Sequence, residues 1–414
     1  MLLGKFYDGV EIYRGEKIIY GKLLSPHLVV STCRSGGGLR SDLAYLGNHQ
    51  SCEPAGHSHG GVAAIEPDAY HGMICSEHSI PPDKCALLGT AANMRLAAIK
   101  QLSFRDLTVV AAVTAGVEGN AGRAGDPAWG WEGPDGYEPL RGPGAGSDGA
   151  EDDEEESRFG DPEGPKEEDP LHGTINTLIF ISLPLTPGAL VRTIMTATEA
   201  KTAALEELGV NSRYSDRPAT GTGTDQIGVA AMTSGSRRPL TSAGKHSKLG
   251  ELIALCAAEA LKEVLARQNG MTTERQRSVR ILLERFHQKP DGRYGLEIGR
   301  LLDMIAANLD QGNAELMREN HRGLIHDPMV VAQVAAMVHL RDKFQWKILP
   351  WSVYAEVMSR QAALLAVEAG GRLDRFGLYY EEISRYPPGD SNQAFLALAA
   401  KAMAMGFADK WPKR

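Results

Sequence analysis

The residues best suited to chemistry fall between Pro187 and Glu251. There the string Ala219-Thr-Gly-Thr-Gly-Thr-Asp225 sets three threonines and two glycines around one aspartate. Glycine lets backbone N–H groups approach a ligand closely, while threonine hydroxyls and a carboxylate supply polar contacts. Asp225 is a candidate acid/base, directly or through water. Thr222 and Thr224 are candidate nucleophile or oxyanion donors, and Gly221 and Gly223 offer backbone donors. The same string also reads as a glycine-rich turn whose side chains cap nearby backbone groups. Residue chemistry alone leaves both readings open.

Two further groups belong to this stretch. Thr196-Ala-Thr-Glu-Ala-Lys201 puts Thr198 and Thr202 one helical turn apart, with Glu199 beside Thr196, Ala203 and Thr202. Glu199 and Lys201 therefore read as a site wall or as a solvated helix face. Lys245-His246 precedes a helix start, where a neighbouring lysine and the helix dipole oppose a protonated imidazole. His246 is a candidate base or an ordinary surface histidine. Glu118 and Asn120, on a glycine-rich loop reaching Asp126, are candidates for substrate contact. Asn48-His-Gln-Ser-Cys-Glu53 with His57 and His59 has ligand-like residue types, but the ligands crowd one Gly/Ser-rich loop and no metal site is assigned.

The loop is no Walker A sequence, because no Gly-Lys-Ser/Thr follows at the required spacing. Nor is it a dinucleotide fingerprint: its glycines precede a strand, not the helix N-terminus that would hold a pyrophosphate.

Elements to position these residues follow from the pattern. Phe6 to Tyr13, Lys17 to Leu24 and His27 to Thr32 are β-favouring runs. Leu107 to Thr114 and Thr174 to Leu183 are continuous apolar runs typical of buried strands, and Gln226 to Met232 is a further strand. Pro67 to His78 and Ala91 to Lys100 look helical. Pro187-Gly188 opens a long helix ending at Gly209, and Lys248 to Gln268 is amphipathic. Trp129 to His172 is rich in Gly and Pro and carries Glu151-Asp-Asp-Glu-Glu-Glu156, so it is expected to be a disordered acidic insertion. From Met271 onward helical periodicity dominates, over Arg277–His287, Tyr294–Asp310, Pro328–Phe344, Ser352–Ala369 and Asn392–Met405.

The fold class expected is α+β (or α/β) for an N-terminal catalytic domain over residues 1–270, followed by a predominantly α-helical C-terminal region over 271–414. At 414 residues two domains are expected over one. A net charge of −8, much of it in the insertion, argues against a nucleic-acid binder. No apolar run is long enough to span a bilayer. Five cysteines without a CxxC pair suit a reduced, cytoplasmic protein.

Taken together, several strings resemble the adenosylcobinamide amidohydrolase family of cobinamide-salvage enzymes. They are Ser31-Thr32 with Gly36 to Gly38 and Asn48, Thr114-Ala-Gly-Val with Asn120, and Gly173-Thr-Ile-Asn176. The most specific is Ala197-Thr-Glu-Ala-Lys-Thr-Ala-Ala-Leu205, followed by the Ala219 to Asp225 loop and Gly244-Lys-His246. The resemblance spans roughly residues 5 to 270. It implies hydrolysis of the amide joining the corrin propionate to aminopropanol, giving adenosylcobyric acid and 1-amino-2-propanol. The corrinoid would be substrate and no cofactor is required, with metal dependence left open; a homo-oligomer is compatible with the chain. In this reading Asp225 does acid/base work, and Thr222, Thr224 and the Gly221 and Gly223 amides polarise the carbonyl. Glu199, Lys201 and His246 complete proton transfer, while Asn48, Asn120, Asn176 and Glu118 meet the substrate. The rivals are a corrinoid-binding protein without hydrolase activity and a metal-dependent amidohydrolase using His49, His57 and His59.

Overall fold

The computed structural model describes residues 1–51, 66–128, 130–134, 136–140, 173–233, 237–385 and 388–410. By its internal contacts the chain divides into two units. One comprises Met1–Ala124, Asp148–Val210 and Ala219–Met271; the other comprises Gly125–Ser147, Asn211–Pro218 and Thr272–Arg414.

Two sheets and a helical layer build the first unit. Strands β1 (Leu2–Phe6), β2 (Val10–Arg14), β3 (Ile18–Leu23), β4 (His27–Ser31), β5 (Gly38–Arg40) and β6 (Tyr45–Gln50) precede helix α1 (Pro67–Glu77). Then come β7 (Cys85–Thr90), β8 (Ala98–Phe104), β9 (Leu107–Thr114) and the two-residue β10 (Ala121–Gly122). After β11 (Gly130–Gly133) and β12 (Gly136–Pro139), which pair as a hairpin, the chain runs through β13 (Asn176–Ile181) and α2 (Pro187–Glu207). It continues through β14 (Gly221–Thr222), β15 (Gln226–Met232) and α3 (Lys248–Asn269). One sheet has the order β1-β2-β3-β6-β7 and the other β5-β4-β15-β13-β9-β8. Only β6–β7 and β13–β15 are parallel pairs in these two sheets.

Strand periodicity explains the layering. Successive side chains point to opposite faces, so a strand buried on both sides is apolar throughout. On β13, Leu178 and Phe180 join the core shared with Ile12, Ile19, Leu46 and Leu88 of the first sheet. Ile179 and Ile181, one residue out of phase, pack against Leu190 and Ala197 of α2 and Ile253 and Cys256 of α3. β9 and β15 repeat the alternation through Val109/Val110 and Val229/Ala230. The fold is therefore sheet on sheet on helix, an α+β arrangement.

Local signals fix the two helices. Thr186 caps α2, its side chain accepting from the Ala189 amide, and Pro187 occupies the first turn where no N–H is needed. Ser247 caps α3 in the same way, and Gly270 ends it in the left-handed conformation.

The second unit is helical apart from the β11–β12 hairpin. Its helices are α4 (Thr273–Gln276), α5 (Val279–Leu283), α6 (Ile298–Ala306), α7 (Gln311–Asn320), α8 (Arg322–Ile325), α9 (Pro328–Gln345), α10 (Trp351–Gly370), α11 (Phe376–Ser384) and α12 (Asn392–Lys410). They enclose a separate core that includes Phe286, Met337, Tyr354, Met358 and Phe395. Among the described residues no helix is long and apolar enough to cross a membrane.

Two expectations are corrected. Ala91 to Lys100 is not helical: a short 3-10 turn at Met94–Leu96 leads into β8, which pairs with Leu107 to Val113 of β9. Tertiary pairing here overrides a local preference. Within the expected disordered insertion, Gly130–Gly133 pairs with Gly136–Pro139 as the hairpin, with Gly136 at a φ of 122° opening the second strand. Residues 141–172 of that expectation lie outside the described residues.

Candidate active site

Loops at one end of the second sheet bring the chemistry together. Residues 115–122 follow β9, residues 173–175 precede β13, and residues 219–225 precede β15. Beneath them Val113, Ala115, Val117, Ala121, Ile175, Ala204, Leu205, Ala219 and Leu261 form a dry floor. Two of the loops are tied directly, since Ala121 pairs with Thr222 and Gly122 with Gly221. Thr202 staples α2 to the same place by donating to the Thr220 carbonyl at 3.1 Å.

Asp225 sits at the centre. Its Oδ1 accepts from the Ile175 amide at 2.9 Å and from the Thr222 hydroxyl at 2.5 Å. Its Oδ2 accepts from the Thr222 amide at 3.0 Å and forms an ion pair with Lys201 Nζ. The two side chains are only 15% and 16% exposed. Four donors match the four acceptor positions of a carboxylate, so the hydrogen-bonding capacity of Asp225 is filled. Gly221 makes the geometry feasible: a Cβ there would stand 2.3 Å from Asp225 Oδ2 and 2.7 Å from Lys201 Nζ.

The rim above this pair is polar and open. Gly223, Thr224 and Glu118 are exposed, and Thr222 and Asn120 half-buried. Thr224 shares a 2.6 Å hydrogen bond with Thr174, and Asn120 donates to the Gly173 carbonyl at 2.9 Å. Thr174 and Thr202 were not among the expected site residues. The signal for Thr202 lies in its turn spacing from Thr198, and that for Thr174 in its place within the Gly173-Thr-Ile-Asn176 string.

Other candidates are placed elsewhere. Glu199 pairs with Lys245 at 3.0 Å, both largely exposed. Two helical residues apart means side chains about 200° apart around the axis, so Glu199 and Lys201 cannot both face the Asp225 loop. His246 is exposed in the turn before α3. Neither Glu199 nor His246 is among the hydrogen-bond partners of Asp225, so of the three residues grouped for proton transfer the structure joins Lys201 to that carboxylate.

Asn48 and Asn176 are corrected too. Each is 1% exposed. Asn176 Nδ2 donates to Asn48 Oδ1 and to the Gly89 carbonyl, both at 2.8 Å, while Asn176 Oδ1 accepts from the Gln226 amide at 3.1 Å. Asn48 in turn donates to Thr114 at 2.7 Å. With their polar atoms engaged, these asparagines tie the two sheets together and offer no group to a substrate.

Of the three histidines in the metal reading, His57 and His59 lie outside the described residues. His49 is buried, with Nδ1 3.0 Å from the Tyr70 hydroxyl. Burial lowers its pKa to about 4, helped by the charges of His78 and Lys17. Among the described residues no group of three His, Cys, Asp or Glu is arranged to hold a metal ion.

Residues 3–273 match the family model described as adenosylcobinamide amidohydrolase. An uncharacterized protein of Methanocaldococcus jannaschii is 35% identical over 202 residues, covering 48% of this chain and 70% of that relative. The helices beyond residue 273 lie outside the family match.

Proposed function

Because the chain belongs to the adenosylcobinamide amidohydrolase family, we propose that it hydrolyses the amide between the corrin propionate and aminopropanol. The products are adenosylcobyric acid and 1-amino-2-propanol. The observation that carries the site assignment is the Thr222 hydroxyl held 2.5 Å from Asp225 with Lys201 on the other carboxylate oxygen.

An amide has a weakly electrophilic carbon and a poor leaving group. Its hydrolysis needs a nucleophile, donors for the developing oxyanion and an acid for the departing amine. In this reading Thr222 Oγ adds to the carbonyl carbon as its proton passes to Asp225. The Gly223 amide and the Thr224 hydroxyl, both on the exposed rim, receive the oxyanion. Lys201 gives a proton to the nitrogen as the C–N bond breaks, and aminopropanol departs. Water then cleaves the ester left on Thr222, restoring the hydroxyl. Asn120 and Glu118 border the entrance and contact the substrate there.

Incubation of the purified chain with adenosylcobinamide, followed by chromatography for adenosylcobyric acid, tests the activity. Corrinoid bound without release of aminopropanol would support a binding protein instead. Activity lost on chelation and restored by zinc would support the metal-dependent version.

A further inference from the structure

Helix α1 carries a second cluster of reactive side chains that the chemistry above does not use. His71 and Cys75 are one turn apart, and the Cys75 sulfur lies 3.6 Å from His71 Nε2. The same nitrogen donates to the Pro82 carbonyl at 3.0 Å, which fixes the ring from the turn ahead of β7. Cys85, the first residue of β7, completes the group, packed with Cys75 in one buried cluster. Both cysteines are 1% exposed and share an apolar pocket with Ile18 and Ile80.

The pair is chemically asymmetric. The hydrogen bond from Cys85 and the adjoining His71 and His78 favour the thiolate at Cys75. That hydrogen bond and burial disfavour it at Cys85, which Cys33 also faces. A thiolate is the nucleophilic form of cysteine, so one sulfur is prepared to attack and the other to follow. Cys256 offers the contrast: it is buried without an imidazole, pushed up to about 12 by desolvation, and donates to the Val109 carbonyl.

We propose that Cys75 and Cys85 form a peroxide-oxidisable dithiol, with Cys75 the attacking sulfur, Cys85 the resolving sulfur and His71 the proton donor. The Cys75 thiolate attacks one oxygen of hydrogen peroxide and the O–O bond breaks. The departing hydroxide takes a proton from His71 and leaves as water, and Cys75 becomes a sulfenic acid. Cys85 sulfur then attacks Cys75 sulfur, its proton returning to His71. The S–S bond forms as the S–O bond breaks, and the displaced hydroxide takes that proton from His71 and leaves as a second water. Two thiols and one peroxide give one disulfide and two waters, the sulfurs losing the two electrons that the peroxide gains. A small neutral oxidant suits a closed apolar pocket better than a bulky disulfide reagent. The new bond would join α1 covalently to β7.

The full chain is exposed to hydrogen peroxide under native conditions, denatured, alkylated and mapped by mass spectrometry. A disulfide between the Cys75 and Cys85 peptides should form about 10-fold faster than Cys256 is oxidised. In Cys85→Ser, or Cys85→Ala if the serine variant does not fold, dimedone should trap the sulfenic acid at Cys75. In Cys75→Ser, Cys85 should remain a thiol. His71→Asn should slow Cys75 oxidation about 10-fold at an unchanged melting temperature. Oxidation of Cys75 no faster than Cys256, a disulfide from Cys85 to Cys33, or oxidation of Cys85 undiminished in Cys75→Ser would overturn the proposal.

Discussion

Helix α2 carries an ion pair on each of two flanks, and their settings differ sharply. Lys201–Asp225 is about 15% exposed at either end and is clasped by two backbone amides and a hydroxyl. Glu199–Lys245 is 49% and 65% exposed and joins two flexible side chains. Charge alone makes the two pairs look equivalent. Water screens the second, whereas the first exists because Gly221, bare of a side chain, leaves room for Asp225 to reach back to the helix. A shielded carboxylate is costly to bury unless its oxygens are all met, as they are here beneath an open polar rim.

The sharpest way to break this contrast is Asp225→Asn. Turnover should fall by about 10²–10⁴-fold, the range for loss of acid/base function, while corrinoid binding persists. Wild-type turnover in that variant would remove Asp225 from the mechanism. Gly221→Ala drives a methyl into the carboxylate and ammonium positions. Turnover should drop about 100-fold, as displacements near 1 Å do, and circular dichroism should be unchanged. An active Gly221→Ala enzyme would mean that the clasp is not needed for rate.

Lys201→Ala leaves a half-buried carboxylate without its cation. Because water still screens part of the pair, the expected loss is about 2 kcal/mol, below the full cost of breaking a buried ion pair. Urea unfolding measures it directly. His49 tests the consequence of burial through pH. Its folded pKa near 4 lies below the unfolded value near 6.5, so between these values the unfolded chain binds the extra proton. Stability should therefore fall as pH drops from about 6.5 toward 4, at up to about 1.4 kcal/mol per unit, and be insensitive to this group above 6.5. His49→Gln should flatten that slope; an unaltered slope would place the titration elsewhere. Smallest of all, Lys245→Ala should alter stability by no more than about 0.5 kcal/mol and leave turnover intact. A large loss would show that the exposed flank has been misjudged.

Much of the frame was legible because its elements satisfy local and tertiary preferences at once. The strand expected at Leu107–Thr114 is β9, that at Gln226–Met232 is β15, and the Pro187 opening and Lys248 start of the two long helices follow directly on the caps Thr186 and Ser247. The helix expected over Ala91–Lys100 fails because Ala98–Lys100 begins an edge strand, whose pairing with β9 is a long-range fact. The site was legible in part for a related reason. Spacing on α2 placed Lys201 and Thr202 one way and Glu199 another only once the helix had been set against a particular loop. Likewise nothing local separates Asn120 on the rim from Asn48 and Asn176 within the sandwich. An amide side chain serves substrate or core according to burial, and burial belongs to the assembled layers.

The two-residue pairing between Ala121–Gly122 and Thr222–Gly221 has a mechanical implication. It clamps the lip carrying Asn120 to the lip carrying Thr222, so neither can swing alone. A displacement of one lip is therefore passed to the other, and a substitution that loosens either should loosen both together.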